Sequence, residues 1–247
     1  MRVDSYYDKV TSTSGSLRTV LSIVTLGTLL LVLGCGSQNR EPEFPESAEG
    51  DNGPAPVVVP AGDDPRPVLV AFGDSLTSGH RVTRENTYPA FLQQELDRRG
   101  LAFRVINEGI SGDTTAKALS RVGTALSHDP QWVILALGAN DGLRGLPLDE
   151  MERNLREMVR QFREGGAQVL LAGMMLPRNY GPDYVQEFET VYPRVAEDLG
   201  LPSIRFLLEG VAMVRELNNS DGIHPNREGN RIVARHVANA FEAALAN

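Results

Sequence analysis

The chain of 247 residues contains a single cysteine and no run rich in lysine and arginine. Without a second cysteine no disulfide can form within the chain, so an oxidising compartment would neither help nor harm the fold. The formal charge of −8 argues against a nucleic-acid partner, because phosphate binding rests on clustered positive charge. A His-Glu-x-x-His motif or comparable cluster of metal ligands is also absent from the sequence. We therefore expect no metal and no cofactor.

Long hydrophobic runs are also scarce, and the apolar run from Thr19 to Leu33 is short of the roughly 20 residues that a spanning helix needs. Basic residues precede this run and Val32-Leu33-Gly34-Cys35 ends it, an order typical of an export signal. These four residues resemble the lipobox at which bacterial lipoproteins are cut and lipidated on the new terminal cysteine. We expect residues 1–35 to be a lipoprotein-type signal segment, with lipidation at Cys35. The alternative is that Cys35 is lost with a simply cleaved signal.

This interpretation predicts an exported, periplasmic protein held at a membrane of the cell envelope by its lipid. Gly36 stands where an acidic residue is associated with retention in the inner membrane, so the outer membrane is favoured. Residues 36–66 are rich in Pro, Gly, Glu, Asp and Ser, which predicts a disordered tether. Residues 67–247 are long enough for one folded domain, which we expect to be monomeric.

Short β-rich runs alternate with helical patterns along this domain. Near-continuous apolar runs indicate strands that are covered on both faces, as in a parallel sheet with crossover helices. The predicted strands are Val68 to Phe72, Phe103 to Asn107, Trp132 to Leu137, Val169 to Ala172 and Ile204 to Leu207. A helical face formed by Leu155, Met158, Val159 and Phe162 ends at Gly165-Gly166, and Val233, Val237, Phe241 and Ala244 repeat the pattern near the C-terminus.

Polar motifs follow the first three predicted strands. Ser75 comes after the first, Gly112 after the second and Asn140 after the third. Ligands of open parallel sheets bind in the crevice outside the carboxyl ends of the strands, so these residues can meet in one site.

Ser75, Asp221 and His224 are the residue types that nucleophilic acyl transfer requires. A serine hydroxyl is a poor nucleophile at neutral pH and needs a base to take its proton. The spacing of three between Asp221 and His224 lets a tight turn place the carboxylate on one ring nitrogen, with the other facing Ser75. His80, His128 and His236 lack such a neighbouring acid in the sequence. An ordinary helix-capping serine and a surface Asp-Gly turn are the alternatives for these residues taken singly.

Two further residues can stabilise the negative charge that develops on a carbonyl oxygen. The missing side chain of Gly112 would let its backbone N–H approach a substrate closely, and Asn140 would supply a side-chain N–H. A glycine required by a turn and an asparagine capping one are the plain alternatives.

Five motifs follow one another in order along the domain. They are Val70-Ala71-Phe72-Gly73-Asp74-Ser75-Leu76, Ile110-Ser111-Gly112-Asp113-Thr114, Leu137-Gly138-Ala139-Asn140-Asp141-Gly142-Leu143-Arg144-Gly145, Leu176-Pro177-Arg178-Asn179-Tyr180-Gly181 and Asp221-Gly222-Ile223-His224-Pro225-Asn226. Together they resemble the SGNH (GDSL) hydrolase superfamily, and within it the thioesterase I/lysophospholipase L1/arylesterase group. The resemblance covers nearly all of residues 67 to 246.

The resemblance implies a three-layer α/β/α fold with a flavodoxin-like, mostly parallel five-stranded sheet. It implies Ser75 as nucleophile, His224 as base and Asp221 as its partner, with Ser75, Gly112 and Asn140 forming the oxyanion hole. It also implies a mobile loop at Leu176 to Gly181 that shapes an acyl groove. Leu143, Leu176 and Pro177 are the predicted substrate-binding residues, and Leu146 and Met174 add to the apolar character near the site.

We therefore predict a serine esterase that hydrolyses carboxylic esters or thioesters through an acyl-enzyme. Aryl esters, fatty acyl esters and lysophospholipids are the first choice of substrate, and activity should rise with pH through about 6 to 7. One alternative is a deacetylase of acetylated glycans, and another is a non-catalytic, lipid-anchored binding protein. An α/β-hydrolase is disfavoured because Thr77 stands where Gly-x-Ser-x-Gly has its second glycine.

Overall fold

The computed structural model describes residues 64–246, and its sheet contains five strands that all run parallel. The strands are β1 (Val68–Gly73), β2 (Arg104–Gly109), β3 (Pro130–Ala136), β4 (Gln168–Ala172) and β5 (Ser203–Ile204). Their spatial order is β2-β1-β3-β4-β5. This order is the flavodoxin-like one, so the predicted fold class is confirmed.

Helices occupy the connections between the strands, as the alternating sequence pattern predicts. They are α1 (Ser75–Ser78), α2 (Tyr88–Arg98), α3 (Thr115–Leu119), α4 (Val122–Leu126), α5 (Ala139–Leu143), α6 (Leu148–Glu164), α7 (Pro182–Leu199) and α8 (Arg227–Leu245). Three short 3-10 turns cover Arg84–Asn86, Arg178–Tyr180 and Arg215–Leu217. The four residues predicted to form the inner face of α6 are all buried, and the helix ends at Gly165.

Aromatic contacts show that the sheet is covered on both faces. Phe72 of β1 meets Phe162 of α6 with ring centroids 5.3 Å apart, and Trp132 of β3 meets Phe241 of α8 at 5.4 Å. Trp132 is the register partner of Leu69, which is three residues from Phe72. Side chains three apart on a strand point to opposite faces, so α6 and α8 lie on opposite sides of the sheet.

The edge strands differ from their predicted bounds. Ile204 to Leu207 was expected to form a strand, but β5 ends at Ile204. The chain bends at Arg205, and the N–H of Leu207 then donates to the carbonyl of Gly173, directly after β4, at 2.9 Å. At the opposite edge β2 extends to Gly109, and all its residues are only partly buried, since a strand at the edge has a neighbour on one side alone.

Strand order determines where the polar motifs meet. β1 lies between β2 and β3, so the chain first passes outward from β1 to β2 and then crosses to the other side of β1 to form β3. The loops after these three strands begin at Asp74, Ile110 and Leu137 and border the crevice at which ligands of open α/β sheets bind.

The predicted signal segment 1–35, the lipidation at Cys35 and nearly all of the predicted tether 36–66 lie outside the described residues and stay predictions. The last residue of that predicted tether, Arg66, is described, and its Nη1 lies 3.1 Å from Asp97 Oδ1 on α2. Within residues 64–246, no helix combines the length and apolar character needed to cross a membrane.

Candidate active site

Ser75 is the first residue of α1 and comes directly after the N-cap residue Asp74. The turn between β1 and α1 is tight, because a Cβ built on Gly73 would lie 2.1 Å from Thr77 Oγ1 and 2.7 Å from the carbonyl oxygen of Ala136. Any side chain at position 73 would therefore displace the short helix that carries Ser75. The packing explains why a glycine stands two residues before the serine.

The structure brings Ser75, His224 and Asp221 together in one line of hydrogen bonds. The Nε2 atom of His224 lies 2.9 Å from Ser75 Oγ, and its Nδ1 atom lies 3.2 Å from Asp221 Oδ2. The serine and the histidine are 149 positions apart in the sequence. With Nδ1 protonated and Nε2 free, this arrangement allows the serine proton to pass to the ring as Oγ attacks an electrophile.

Asp221 and His224 belong to a loop that is closed by its own hydrogen bonds. Asn218 and Pro225 form an isolated antiparallel bridge, and the N–H of Asn219 donates to the carbonyl of His224 at 2.8 Å. Inside the loop, Asp221 Oδ1 accepts from the backbone N–H groups of Ile223 and His224, both at 3.1 Å. The carboxylate is thus held in place before it contacts the imidazole.

Burial lowers the pKa of His224 from its ordinary value, and nearby His80 and Arg81 lower it further. The Asp221 carboxylate acts in the opposite direction without cancelling the effect of burial. Burial alone would raise the pKa of Asp221, but the N–H groups of Ile223 and His224 and the imidazole outweigh it and hold that pKa below its usual range. Near neutral pH the pair therefore contains a neutral ring and a charged carboxylate, as a general base requires.

The depressed pKa of His224 gives the first prediction. We expect the acid limb of kcat/KM for ester hydrolysis to have its midpoint below the ordinary histidine value of 6.5, because burial disfavours the imidazolium. The direction of the shift thus favours the acid end of the range of about 6 to 7 expected from the sequence. Rates measured between pH 4.5 and 8 would check this, together with an NMR titration of the ring assigned through His224→Gln. A midpoint above 6.5 would contradict it.

Gly112 and Asn140 lie in the loops after the two strands that flank β1. Gly112 has a φ of +83°, a left-handed conformation that favours glycine, and its carbonyl accepts from Arg144 Nη2 at 2.9 Å. The space next to its Cα is otherwise open, with nothing but that guanidinium within 4 Å of a built Cβ. A turn therefore requires this glycine, and the open approach also suits a backbone donor facing a ligand.

The amide of Asn140 is oriented by a buried carboxylate. Asn140 is the second residue of α5, and its Nδ2 donates to Asp74 Oδ2 at 3.2 Å. A carboxylate can only accept hydrogen bonds, so the amide must turn its nitrogen rather than its oxygen toward Asp74. The second hydrogen on that nitrogen is then available to a ligand oxygen.

Asp74 has no exposed surface, and its other oxygen accepts from the N–H of Leu76 at 3.0 Å. Burial raises the pKa of Asp74 to about 6, with the donors Leu76 and Asn140 opposing the shift. The negative charges of Asp113 and Asp141 raise it further. At neutral pH the site therefore contains a buried, charged acceptor that is costly to keep ionised.

This cost should be visible as a pH dependence of stability. The pKa of Asp74 in the folded protein lies above that of an aspartate in the unfolded chain, so between about pH 4 and 6 the folded protein binds more protons than the unfolded chain. As pH rises through that window, the loss of this proton lowers the free energy of unfolding. A shift of this size corresponds to about 3 kcal/mol by pH 7. We expect Asp74→Asn to lack this dependence, so that its stability relative to wild type improves by about 2 kcal/mol between pH 4 and 7, the rest of the effect being already present at pH 4.

Urea unfolding at pH 4, 5, 6 and 7 would measure the difference. The matched control is Asp183→Asn, which changes an exposed aspartate in the first turn of α7 and should follow the wild-type curve. Parallel curves for Asp74→Asn and wild type would contradict the prediction.

Arg121 joins the loops of the site, although no motif in the sequence pointed to it. Its Nε lies 2.7 Å from Asp113 Oδ2, its Nη1 donates to the carbonyl of Glu108 at 2.9 Å, and its Nη2 donates to that of Gly73 at 2.8 Å. One guanidinium thus connects the ends of β1 and β2 to the loop that contains Gly112. Only the three-dimensional contacts reveal this role, because the partners are up to 48 positions away.

The predicted substrate-binding residues differ in exposure. Leu143 is partly buried and Pro177 is exposed, whereas Leu176 is 2% exposed and offers almost no surface to a ligand. Leu176 instead packs beside Gly142, where a built Cβ would lie 2.8 Å from its Cδ2. Met174 is likewise buried, so neither side chain lines an open groove here.

The loop from Leu176 to Gly181 contains a 3-10 turn and contacts the segment after Asn140. Tyr180 Oη donates to the carbonyl of Leu143, and Tyr184 Oη donates to that of Leu146, both at 3.0 Å. The first bond places the loop against the end of α5, and the second joins the start of α7 to the residues after α5. The mobility of the loop stays a prediction.

The remaining histidines have contacts between distant positions. His128 Nε2 lies 2.7 Å from Glu108 Oε1 on β2, an acid that is 20 positions away and so outside the sequence neighbours on which the expectation rested. His80 lies beside the candidate base, with its ring centroid 4.4 Å from that of His224. Neither contact could be read from neighbouring residues in the sequence.

Comparison with known proteins gives a match over most of the described chain. Residues 71–232 match the GDSL-like lipase/acylhydrolase family. Thioesterase 1/protease 1/lysophospholipase L1 of Escherichia coli K12 is 35% identical over 70% of this chain and 83% of its own length. Esterase TesA of Pseudomonas aeruginosa is 40% identical over 64% and 79%, and the arylesterase of Vibrio mimicus is 38% identical over 69% and 86%.

A solved structure shows the same fold. The psychrotrophic esterase EstA from Pseudoalteromonas sp., inhibited by monoethylphosphonate, superposes with a TM-score of 0.69 at 30% identity. The superposition covers 74% of this chain and all of the EstA chain.

Proposed function

The chain belongs to the GDSL-like lipase/acylhydrolase family and is a serine ester hydrolase, and we propose that Ser75 carries out its chemistry with His224 and Asp221. The observation that carries this proposal is the 2.9 Å contact between Ser75 Oγ and His224 Nε2, with Asp221 on the opposite ring nitrogen. A surface turn or a simple helix cap would not require these three side chains to meet.

In the proposed first step, Ser75 Oγ attacks the carbonyl carbon of the ester while its proton passes to Nε2 of His224. The tetrahedral intermediate collapses, the C–O bond to the leaving group breaks, and the imidazolium returns its proton to the departing alcohol. In the second step water attacks the acyl-enzyme, His224 accepts a proton from the water, and Ser75 recovers it as the acid leaves. Asp221 stabilises the imidazolium in both steps.

We assign the oxyanion hole to the backbone N–H groups of Ser75 and Gly112 and the side-chain N–H of Asn140. The assignment is supported by the positions of these donors at the ends of adjacent strands and by the orientation that Asp74 imposes on the Asn140 amide. Donors that are fixed before the reaction stabilise the developing charge without reorganisation.

For the substrate, we propose aryl and fatty acyl esters, with lysophospholipids as the lipid example. The names of the relatives support this choice, and so does the surface near the site. Four of the six exposed large apolar side chains in the described residues lie on segments that carry site residues or contact them. These four are Ile110, Leu146, Tyr180 and Ile223. Apolar side chains left in water at a cleft favour an apolar acyl or aryl group.

A substrate panel tests the proposal. p-Nitrophenyl esters from acetyl to dodecanoyl, lysophosphatidylcholine, palmitoyl-CoA and acetylated xylan would be compared by kcat/KM. We expect the aryl and longer acyl esters to lead, and a preference for acetylated xylan would replace this proposal with the deacetylase alternative. Treatment with an organophosphonate, which labels an activated serine, tests the non-catalytic alternative. We expect labelling, and a folded protein that stayed unlabelled would support the binding protein instead.

We also propose that the protein is exported and held by lipid at the outer membrane. The support is the sequence of residues 1–36 alone, namely the apolar run, the lipobox-like end at Cys35 and the non-acidic Gly36. Metabolic labelling with an alkynyl palmitate should modify the wild type and not Cys35→Ser. Fractionation of the labelled protein with the inner membrane would contradict the choice of membrane.

A further inference from the structure

His80 is held beside the proposed triad by its backbone. Its N–H donates to the carbonyl of Ser75 at 3.1 Å, and its carbonyl accepts from Asn219 Nδ2 at 3.2 Å. The first bond joins it to the helix of the serine and the second to the loop of the acid and base. These bonds fix the backbone of His80, and its imidazole lies next to that of His224, with the ring centroids 4.4 Å apart and the ring planes inclined by 43°.

One ligand atom from each of His80, Asp221 and His224 lies within 4.8 Å of the other two. Two imidazoles and one carboxylate form a ligand set that zinc binds, at bond lengths of about 2.0–2.2 Å. Around a tetrahedral ion those lengths place ligand atoms roughly 3.4 Å apart, so shifts of about 1.5 Å or less would close the set. The side chains of His224 and Asp221 keep 16% and 21% of their surface exposed, and His80 is partly exposed, so an ion can enter from solvent and keep a water ligand.

We propose that His80, His224 and Asp221 form a binding site for a divalent transition-metal ion, best suited to Zn²⁺, whose occupancy inhibits the enzyme. The inhibition follows from the contacts of His224, because Nε2 faces Ser75 and Nδ1 faces Asp221. A metal that takes either nitrogen removes one hydrogen bond of the relay. Mg²⁺ and Ca²⁺ prefer oxygen ligands and should not compete.

The charge of Arg81 opposes a cation at this place. Its Nη1 lies 3.7 Å from Asp221 Oδ2, and its side chain is mostly exposed. Arg81→Gln should therefore bind Zn²⁺ more tightly than the parent protein, because removing a nearby positive charge favours a second one.

Binding is tested without reference to activity. Zn²⁺ is titrated into the chelator-treated, full-length Ser75→Ala protein in a calorimeter, since this variant keeps all three ligands. We expect one ion per chain, with affinity reduced by about tenfold or more when His80→Phe is added. His128→Gln on the same background is the matched control and should keep the affinity, because His128 pairs with Glu108 elsewhere. Unchanged affinity in the His80→Phe protein, or no binding at millimolar Zn²⁺, would overturn the proposal.

The claim that bound Zn²⁺ inhibits the enzyme rests on the proposed function and is tested separately, by measuring ester hydrolysis. Hydrolysis of an aryl ester by the wild type should fall with added Zn²⁺, recover with EDTA and ignore Mg²⁺, while His80→Phe should need about ten times more Zn²⁺. Binding that left hydrolysis unchanged would overturn the inhibition. A metal-free wild type without hydrolysis would contradict the proposed function instead, and the calorimetric result on Ser75→Ala would be unaffected.

Discussion

Ser75→Ala should lower kcat/KM for an aryl ester by a factor on the order of 10⁴ to 10⁶ while the protein stays folded. The methyl group of alanine cannot form the acyl-enzyme. The remaining reaction is direct attack of water on the bound ester, which only substrate binding and stabilisation of the developing charge accelerate. His224 would keep its bond to Asp221, because that contact lies within one loop. Initial rates and a thermal unfolding curve would measure the two halves of this expectation.

The matched control is Ser78→Ala, three residues later in the same short helix. The Ser78 hydroxyl contacts Ser111 Oγ at 3.1 Å and is given no part in the chemistry, so its loss should change kcat/KM little. Mass spectrometry after phosphonate treatment should place the label on Ser75 in both the wild type and this control. A label on Ser78, or substantial turnover by Ser75→Ala, would remove Ser75 from the proposed role.

Asn140→Ala should have the second largest effect, lowering kcat about 10²- to 10³-fold with a smaller change in KM. The side-chain N–H would contact the substrate oxygen most strongly once that oxygen carries charge, so its loss affects the transition state more than binding. The substitution also removes a donor from the buried Asp74, so a lower melting temperature should accompany it. Steady-state kinetics with calorimetric unfolding would separate the two effects.

Asn179→Ala serves as the comparison, because Asn179 is exposed in the loop that faces α5. It should keep both kcat and stability. If Asn140→Ala raised KM and left kcat unchanged, the amide would bind the substrate and its transition state equally, and the oxyanion assignment would be wrong.

The fold could be predicted because its signals are local. Apolar strands such as Val68 to Phe72 are buried on both faces, and the polar motifs come at their ends, so a parallel sheet with a site at one edge could be expected from the pattern. The order of the strands in the sheet came from the family resemblance, since it differs from the order along the chain. The fifth strand was less predictable, since Leu207 is as buried as a strand residue although the regular strand ends at Ile204 and the chain bends at Arg205. Hydrophobicity reports burial, and it does not report which backbone groups pair.

The candidate site likewise has a part that could be predicted from the sequence and a part that could not. Asp221 and His224 could be paired because they are three positions apart with a turn between them, and the other four of the five motifs supplied the remaining candidates. The orientation of Asn140 by Asp74, the three bonds of Arg121 and the position of His80 depend on contacts between distant segments. Leu176 shows the limit of a motif, because the sequence predicts that this apolar residue contacts substrate, whereas in the structure it is buried in the protein interior.

The loop from Asn218 to Pro225 is closed by its own hydrogen bonds, so Asp221 and His224 keep their relative positions when the loop moves as a whole. Its internal bonds fix the distance from Asp221 to His224, whereas the distance to Ser75 depends on how the whole segment is seated. Asn218 Nδ2 provides part of that seating by donating to the carbonyls of Val211 and Val214. A displacement of this loop as a whole would therefore lengthen the distance from His224 to Ser75. The contact between Asp221 and His224 would be kept, because both residues belong to the loop.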